Sequence, residues 1–139
     1  SKPFKIYAIE MNPEAYKYLV TNILLNKVVD VVEPILGDCR EVAPVGVADR
    51  VIMGLVSGTD SYLDTALKCL KEDGGIIHYH EAFPKRLLQE KIEIIKNKAV
   101  QKSFKVKQLN FKRVKKYAPC IEHFVIDLCL IREHTRYRS

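Results

Sequence analysis

The four cysteines, Cys39, Cys69, Cys120 and Cys129, stand far apart, and none forms a CxxC pair. Neither a disulfide scaffold nor a zinc site is expected, and a reducing cytoplasm is the simplest compartment. No apolar run nears the roughly 20 residues that cross a bilayer. The opening Ser1-Lys2-Pro3-Phe4 has no signal-peptide layout. The chain has no GxxxxGK phosphate loop and no evident Ser/His/Asp motif. Its six glycines leave none just after the first strand-like segment, where two-half nucleotide folds carry a Gly-rich turn.

What is present suits one folded domain. Over 139 residues, 47% hydrophobic and 29% charged side chains allow a packed core and exclude wholesale disorder. The net charge of +6 is unevenly spread. Residues 85–117 hold twelve basic and two acidic side chains, and 101–117 hold seven basic and no acidic ones. A field this lopsided favours a polyanion, most often RNA or DNA in a cytosolic protein. The plainer reading is a solvated lysine-rich face.

Hydrophobic periodicity gives the order β-α-β-β-α-β-α-β-β. Phe4–Ile9 reads as a buried strand closed by Glu10. Asn12-Pro13-Glu14 is a helix start, because Asn caps, Pro suits the first turn and Glu suits the positive end of the dipole. Val31–Leu36 and Asp49–Leu55 read as the second and third strands. A helix over Tyr62–Leu70 leads to a fourth strand, Gly75–His80. Leu88, Ile92, Ile95 and Ala99 form one face of a basic amphipathic helix. Phe104–Val114 and Ile121–Ile131 are two long strands around a turn at Tyr117-Ala118-Pro119. The early alternation predicts a mostly parallel sheet covered by helices. The two terminal strands lack a crossover helix, so one of them is antiparallel.

In such sheets ligands bind beyond the carboxyl ends of the strands. That rule selects Glu10, the Gly37-Asp38-Cys39-Arg40 turn, the Gly54–Thr59 loop and the stretch after Tyr79. Glu10 suits two ribose hydroxyls, and a bland acid near a helix start fits equally. Asp38 suits an adenine amino group, and plain turn chemistry explains it as well. His78 and His80 face one side of their strand. They line a cleft or sit on the surface, because His123 and His134 are too remote in sequence to complete a metal site. No residue is assigned as catalytic.

Five segments then carry a resemblance. They are Ile9-Glu10-Met11-Asn12-Pro13, Asn22–Lys27, Gly37-Asp38-Cys39-Arg40-Glu41, Asp49–Gly54 and Gly75–Glu81. In this order they resemble the archaeal and eukaryotic tRNA enzymes that modify the guanosine beside the phenylalanine anticodon. That family contains the tRNA guanine N(1)-methyltransferase and the wybutosine-synthesis aminocarboxypropyltransferase. The resemblance covers nearly the whole chain. It implies a class I methyltransferase-like (Rossmann-like) α/β sheet, mostly parallel with an antiparallel last strand. It also implies S-adenosyl-L-methionine as cofactor and tRNA, phenylalanine tRNA in particular, as partner. By the same resemblance Glu10 matches the ribose-binding acid, Asp38 and Cys39 match the adenine-contacting pair, and Gly54 lies in the loop facing the sulfonium. The methyltransferases carry Asn-Leu-Pro or Asn-Pro-Pro after the third strand. This chain has Met53-Gly54-Leu55-Val56-Ser57-Gly58, which favours the aminocarboxypropyl branch.

The resemblance aligns the opening strand with the second strand of such a fold. Residues 1–139 are therefore expected to be the carboxyl-terminal part of the domain, without its first strand and Gly-rich loop. Its sheet should fall into two halves with unpaired edges. Within the basic stretch, Lys112, Arg113, Lys115 and Lys116 are the expected tRNA phosphate contacts. Two rivals remain at this stage: a nicotinamide-dependent oxidoreductase fragment and a non-catalytic RNA-binding module.

Overall fold

A computed structural model describes residues 4–54 and 59–133. Two compact units, Ser1–Ala43 and Pro44–Ser139, make up the chain.

The first unit opens with β1 (Ile6–Glu10) and α1 (Pro13–Leu25). The side chain of Asn12 caps α1 by accepting from the backbone N–H of Glu14 at 2.8 Å and of Ala15 at 3.4 Å. Next come β2 (Val32–Leu36) and a single-turn helix, α2 (Cys39–Val42). The strands run parallel, with Ile6 opposite Val32 and Glu10 opposite Leu36. α2 was expected only as a turn, because four residues carry no helical period. The Asp38 cap and Gly37 define it instead. A Cβ at Gly37 would lie 2.8 Å from Val42 Cγ1.

The second unit contains β3 (Arg50–Met53), α3 (Leu63–Cys69), β4 (Gly74–Phe83), α4 (Leu88–Gln101), β5 (Phe104–Ala118) and β6 (Ile121–Arg132). Its sheet has the order β3-β4-β6-β5. β3 and β4 are parallel, while β6 is antiparallel to both of its neighbours. The last strand is thus the antiparallel one. Gly74, at φ 116°, has no room for a side chain, since a Cβ would collide with the Leu130 carbonyl oxygen.

Leu63, Ala66 and Leu67 of α3, with Ile92, Ile95 and Ala99 of α4, pack on one face of this sheet. They meet Ile77, Tyr79 and Phe83 of β4 and alternate residues of β6 from Phe124 to Leu130. Each of the buried leucines, isoleucines and phenylalanines contributes about 1.5–3 kcal/mol of transfer free energy. The opposite face carries no helix of this unit among the described residues. Alternation along the strands gives that face Arg50, His78, His80, His123 and Asp127.

The strands thus lie in two sheets. β1 and β3 each pair on one side only among the described residues. Ile52 on β3 is 68% exposed. β4 runs three residues beyond the expected end, and β5 continues through Ala118, so the hairpin turn falls at Pro119-Cys120, with Cys120 at φ 64°.

Candidate functional site

Glu10 and the Asp38 turn lie together at the carboxyl end of the β1–β2 pair. The parallel register sets Glu10 opposite Leu36, and the Gly37 N–H donates to the Glu10 carbonyl at 3.0 Å. One Glu10 carboxylate oxygen accepts from the Asn12 N–H at 3.0 Å, which fixes the side chain at the mouth of α1. Asp38 caps α2 by accepting from the Arg40 N–H at 2.9 Å, and it pairs with the Arg40 guanidinium at 2.6 Å. The Arg40 side-chain and backbone donors hold the Asp38 carboxyl below its ordinary value. Asp38 therefore performs the turn chemistry expected of it, and Arg40 shares its oxygens with any ligand. Burial pushes the Cys39 thiol up, and the neighbouring Asp38 charge adds to that.

Gly54 belongs to the second unit and follows β3 directly. The rest of the Gly54–Thr59 loop, up to residue 58, lies outside the described residues, as does His134. Parallel pairing of Met53 with Tyr79 brings Gly54 into step with His80. Beside this strand end two polar pairs span β4 and β6. His78 Nδ1 lies 2.6 Å from Asp127 Oδ1, and His80 Nδ1 lies 3.1 Å from His123 Nε2. Arg50 Nη1 reaches His78 Nε2 at 2.6 Å from β3. Burial lowers the pKa of His80, and the His123 and His78 rings lower it further. The sequence singled out His78 and His80 but set His123 aside. The signal lay in His123 and Asp127 being four apart on one strand, hence on one face, but the hairpin register was needed to use it.

Lys112, Arg113, Lys115 and Lys116 are all exposed on β5, an edge strand. They divide between its two faces. A bulge between Arg113 and Lys115 sets Lys115 opposite His123, while Lys112 faces Val125. Arg113 and Lys116 lie opposite Phe124 and Glu122 on the helix-covered side. Arg113 is 3.6 Å from Glu122 Oε1, a buried oxygen with no hydrogen bond in the described structure.

Two clefts of about 250 and 400 Å³ lie elsewhere. The first is between α1 and β2, and the second is near Val45 and Phe104. Neither is lined by Glu10, Asp38, Cys39 or Gly54, and strand-end geometry defines the candidate site better than these hollows do. No group of three His, Cys, Asp or Glu among the described residues is arranged to hold a metal. No described helix is long and apolar enough to cross a membrane.

Strand order, the antiparallel last strand and acids at the carboxyl ends together define a class I methyltransferase-like fold. Residues 1–107 match the model of the TRM5/TYW2 methyltransferase domain, and the chain belongs to that family. It is 47% identical over 128 residues to the tRNA(Phe) (4-demethylwyosine(37)-C(7)) aminocarboxypropyltransferase of Methanocaldococcus jannaschii, covering 91% of this chain and 51% of that protein. It is 40% identical over 126 residues to the tRNA (guanine(37)-N(1))-methyltransferase Trm5b of Pyrococcus abyssi, covering 88% of this chain and 36% of that protein. The crystal structure of M. jannaschii TYW2 in complex with AdoMet superposes with a TM-score of 0.88 at 45% identity, covering 95% of this chain and 60% of that one. The chain thus spans about half the length of the curated relatives it matches.

Proposed function

We propose that the chain is the carboxyl-terminal part of a Rossmann-like domain that binds S-adenosyl-L-methionine. In this reading the domain moves the 3-amino-3-carboxypropyl group of that cofactor onto a tricyclic, wyosine-type guanine beside the anticodon of phenylalanine tRNA. The observation that carries the reading is the side-by-side placement of Glu10 and the Asp38 turn at one end of a parallel strand pair, in a chain of this family. Glu10 accepts from the ribose hydroxyls. Asp38 accepts from the adenine amino group, with Cys39 against the base. Gly54 gives the sulfonium end a backbone without a side chain. The cofactor supplies a carbon activated by a cationic leaving group, so the protein has mainly to orient the reactants.

The residues after β3 favour aminocarboxypropyl over methyl transfer. Met53-Gly54-Leu55-Val56-Ser57-Gly58 contains no Asn-Leu-Pro or Asn-Pro-Pro. Lys112, Arg113, Lys115 and Lys116 contact tRNA phosphates, which position the substrate without specifying its sequence.

The test uses the full-length protein with S-adenosylmethionine labelled either in the carboxyl group or in the methyl group. The tRNA carries a demethylwyosine-type base or an unmodified guanine. Carboxyl label in the tricyclic base is expected. Methyl label in the plain guanine would select the N(1)-methyltransferase reading instead. Restoring Asn-Leu-Pro after β3 should raise the methyl-to-carboxyl product ratio.

A further inference from the structure

The transfer proposed above leaves one proton unaccounted for. Attack by the ring carbon C7 forms a bond to the γ-carbon of the aminocarboxypropyl arm. The sulfur–carbon bond breaks, and its electron pair stays on sulfur as 5′-methylthioadenosine. C7 still carries its hydrogen, and aromaticity returns only when that C–H bond gives its electrons back to the ring. A group beside the acceptor must take the proton. We infer that the His80–His123 pair is this acceptor, an inference that rests on the transferase reading.

Three observations place the pair. First, His80 stands at the carboxyl end of the parallel β3–β4 pair, in step with Gly54, where ligands of such sheets bind. Second, His80 lies on the sheet face opposite α3 and α4, and Lys115 lies directly across from His123 on that same face, with Lys112 opposite Val125. A tRNA backbone held by Lys112 and Lys115 brings its nucleotide to the histidines. Third, Nδ1 of His80 and Nε2 of His123 are 3.1 Å apart. The neutral pair already holds one hydrogen between these nitrogens, so the substrate's proton goes to an outer ring nitrogen of the pair. Only one ring takes it, because two protonated rings would set like charges in contact.

Among the described residues, His80 faces His78 on its own strand, His123 and Asp127 on β6, and the lysines of β5. His78 is held by Asp127 and Arg50 and orients the row. Burial and the neighbouring imidazoles hold His80 below the ordinary histidine value, which keeps it unprotonated and ready at neutral pH.

The test uses the full-length protein under saturating substrates. The rate of aminocarboxypropyl transfer is followed against pH, with S-adenosylmethionine and tRNA affinities measured separately. The wild-type rate should rise with pH and then level as His80 loses its proton. His80→Gln should lower kcat about 100-fold or more and abolish the rising limb, with both affinities unchanged. His123→Gln should move the rising limb to higher pH, because a neighbour that disfavours the charged ring has gone. His80→Gln retaining wild-type kcat and pH profile overturns the assignment, and an unmoved limb in His123→Gln overturns the pairing. Should His80→Gln fail to fold, His123→Gln alone decides. A wild-type protein that binds no S-adenosylmethionine and transfers nothing refutes the underlying reaction, which is a separate result from an active His80→Gln.

Discussion

His78 and Asp127 form a cross-strand pair, with Nδ1 of the imidazole 2.6 Å from Oδ1 of the carboxylate. Arg50, which can only donate, lies 2.6 Å from His78 Nε2. Nε2 must therefore accept, so the ring proton sits on Nδ1 and points at Asp127. Asp127→Asn removes the charged acceptor but leaves an amide oxygen that accepts, so with Arg50 in place the ring proton stays on Nδ1. Nitrogen-detected NMR should show a protonated Nδ1 on His78 in both the wild type and the variant. Stability should fall by about 1 kcal/mol, reflecting the half-exposed position of Asp127. A mixture of tautomers in the variant would mean that the Asp127 charge, and not Arg50, fixes the ring.

Glu81 is a buried acid of the second unit. Its Oε1 accepts from the Tyr79 hydroxyl at 2.7 Å and lies 3.2 Å from Lys91 Nζ on α4. The side chains of Glu81 and Lys91 are 6% and 18% exposed. Lys91→Met strands the carboxylate in the core and should cost about 3 kcal/mol. The double variant Glu81→Leu/Lys91→Met should recover most of that loss, because two charges no longer have to be desolvated. Urea denaturation of both variants checks the difference, and equal losses would contradict it.

His80 titrates below the ordinary value of 6.5 in the folded chain, chiefly through burial. The unfolded chain therefore binds a proton more readily than the folded one as the pH falls through 6.5. Stability is highest above that pH, declines as the pH drops toward the folded value, and stays level below it as far as His80 is concerned. His80→Gln should flatten this part of the profile. Urea midpoints at several pH values between neutral and mildly acidic will show whether the slope depends on His80.

Cys39 sits against the Asp38 turn, and burial with the adjacent carboxylate keeps its thiol protonated. Iodoacetamide should modify it more slowly than the exposed Cys120. In the full-length protein S-adenosylmethionine should slow it further without affecting Cys120. Mass spectrometry of peptides from a timed reaction gives both rates. Equal protection of the two cysteines would place the ligand elsewhere.

The face division on β5 yields a selective charge test. Lys112→Ala and Lys115→Ala should each weaken tRNA binding and reduce the salt slope by roughly one. Arg113→Ala should lower stability too, because Glu122 Oε1 is buried and has the Arg113 guanidinium as its nearby cation. Binding measured from low to moderate salt, paired with thermal denaturation, separates the two effects. Full retention of the slope in the double Lys112→Ala/Lys115→Ala variant would move the tRNA patch off this face.

Much of this molecule is local chemistry and so was legible in order. The Asn12-Pro13 cap, the Leu88-Ile92-Ile95-Ala99 stripe and the alternation of the late strands depend on neighbours within a few residues. They fixed the element order and the single antiparallel strand. The placement of Glu10 and Asp38 at strand ends was read the same way. α2 and the far end of β5 escaped that reading. One turn carries no period, and the Lys-rich end of β5 has too few apolar residues to mark a strand.

Partnership across the sheet was decided by tertiary structure alone. Asp127 is 49 residues from His78, and His123 is 43 from His80. Only the register between β4 and β6 makes them neighbours. The bulge near Val114 turns Lys115 to the face of Lys112, where strict alternation would have put Lys116. Residue types and strand order are written along the chain. Which side chains meet depends on hydrogen-bond register, and a shift of one residue moves every later side chain to the other face.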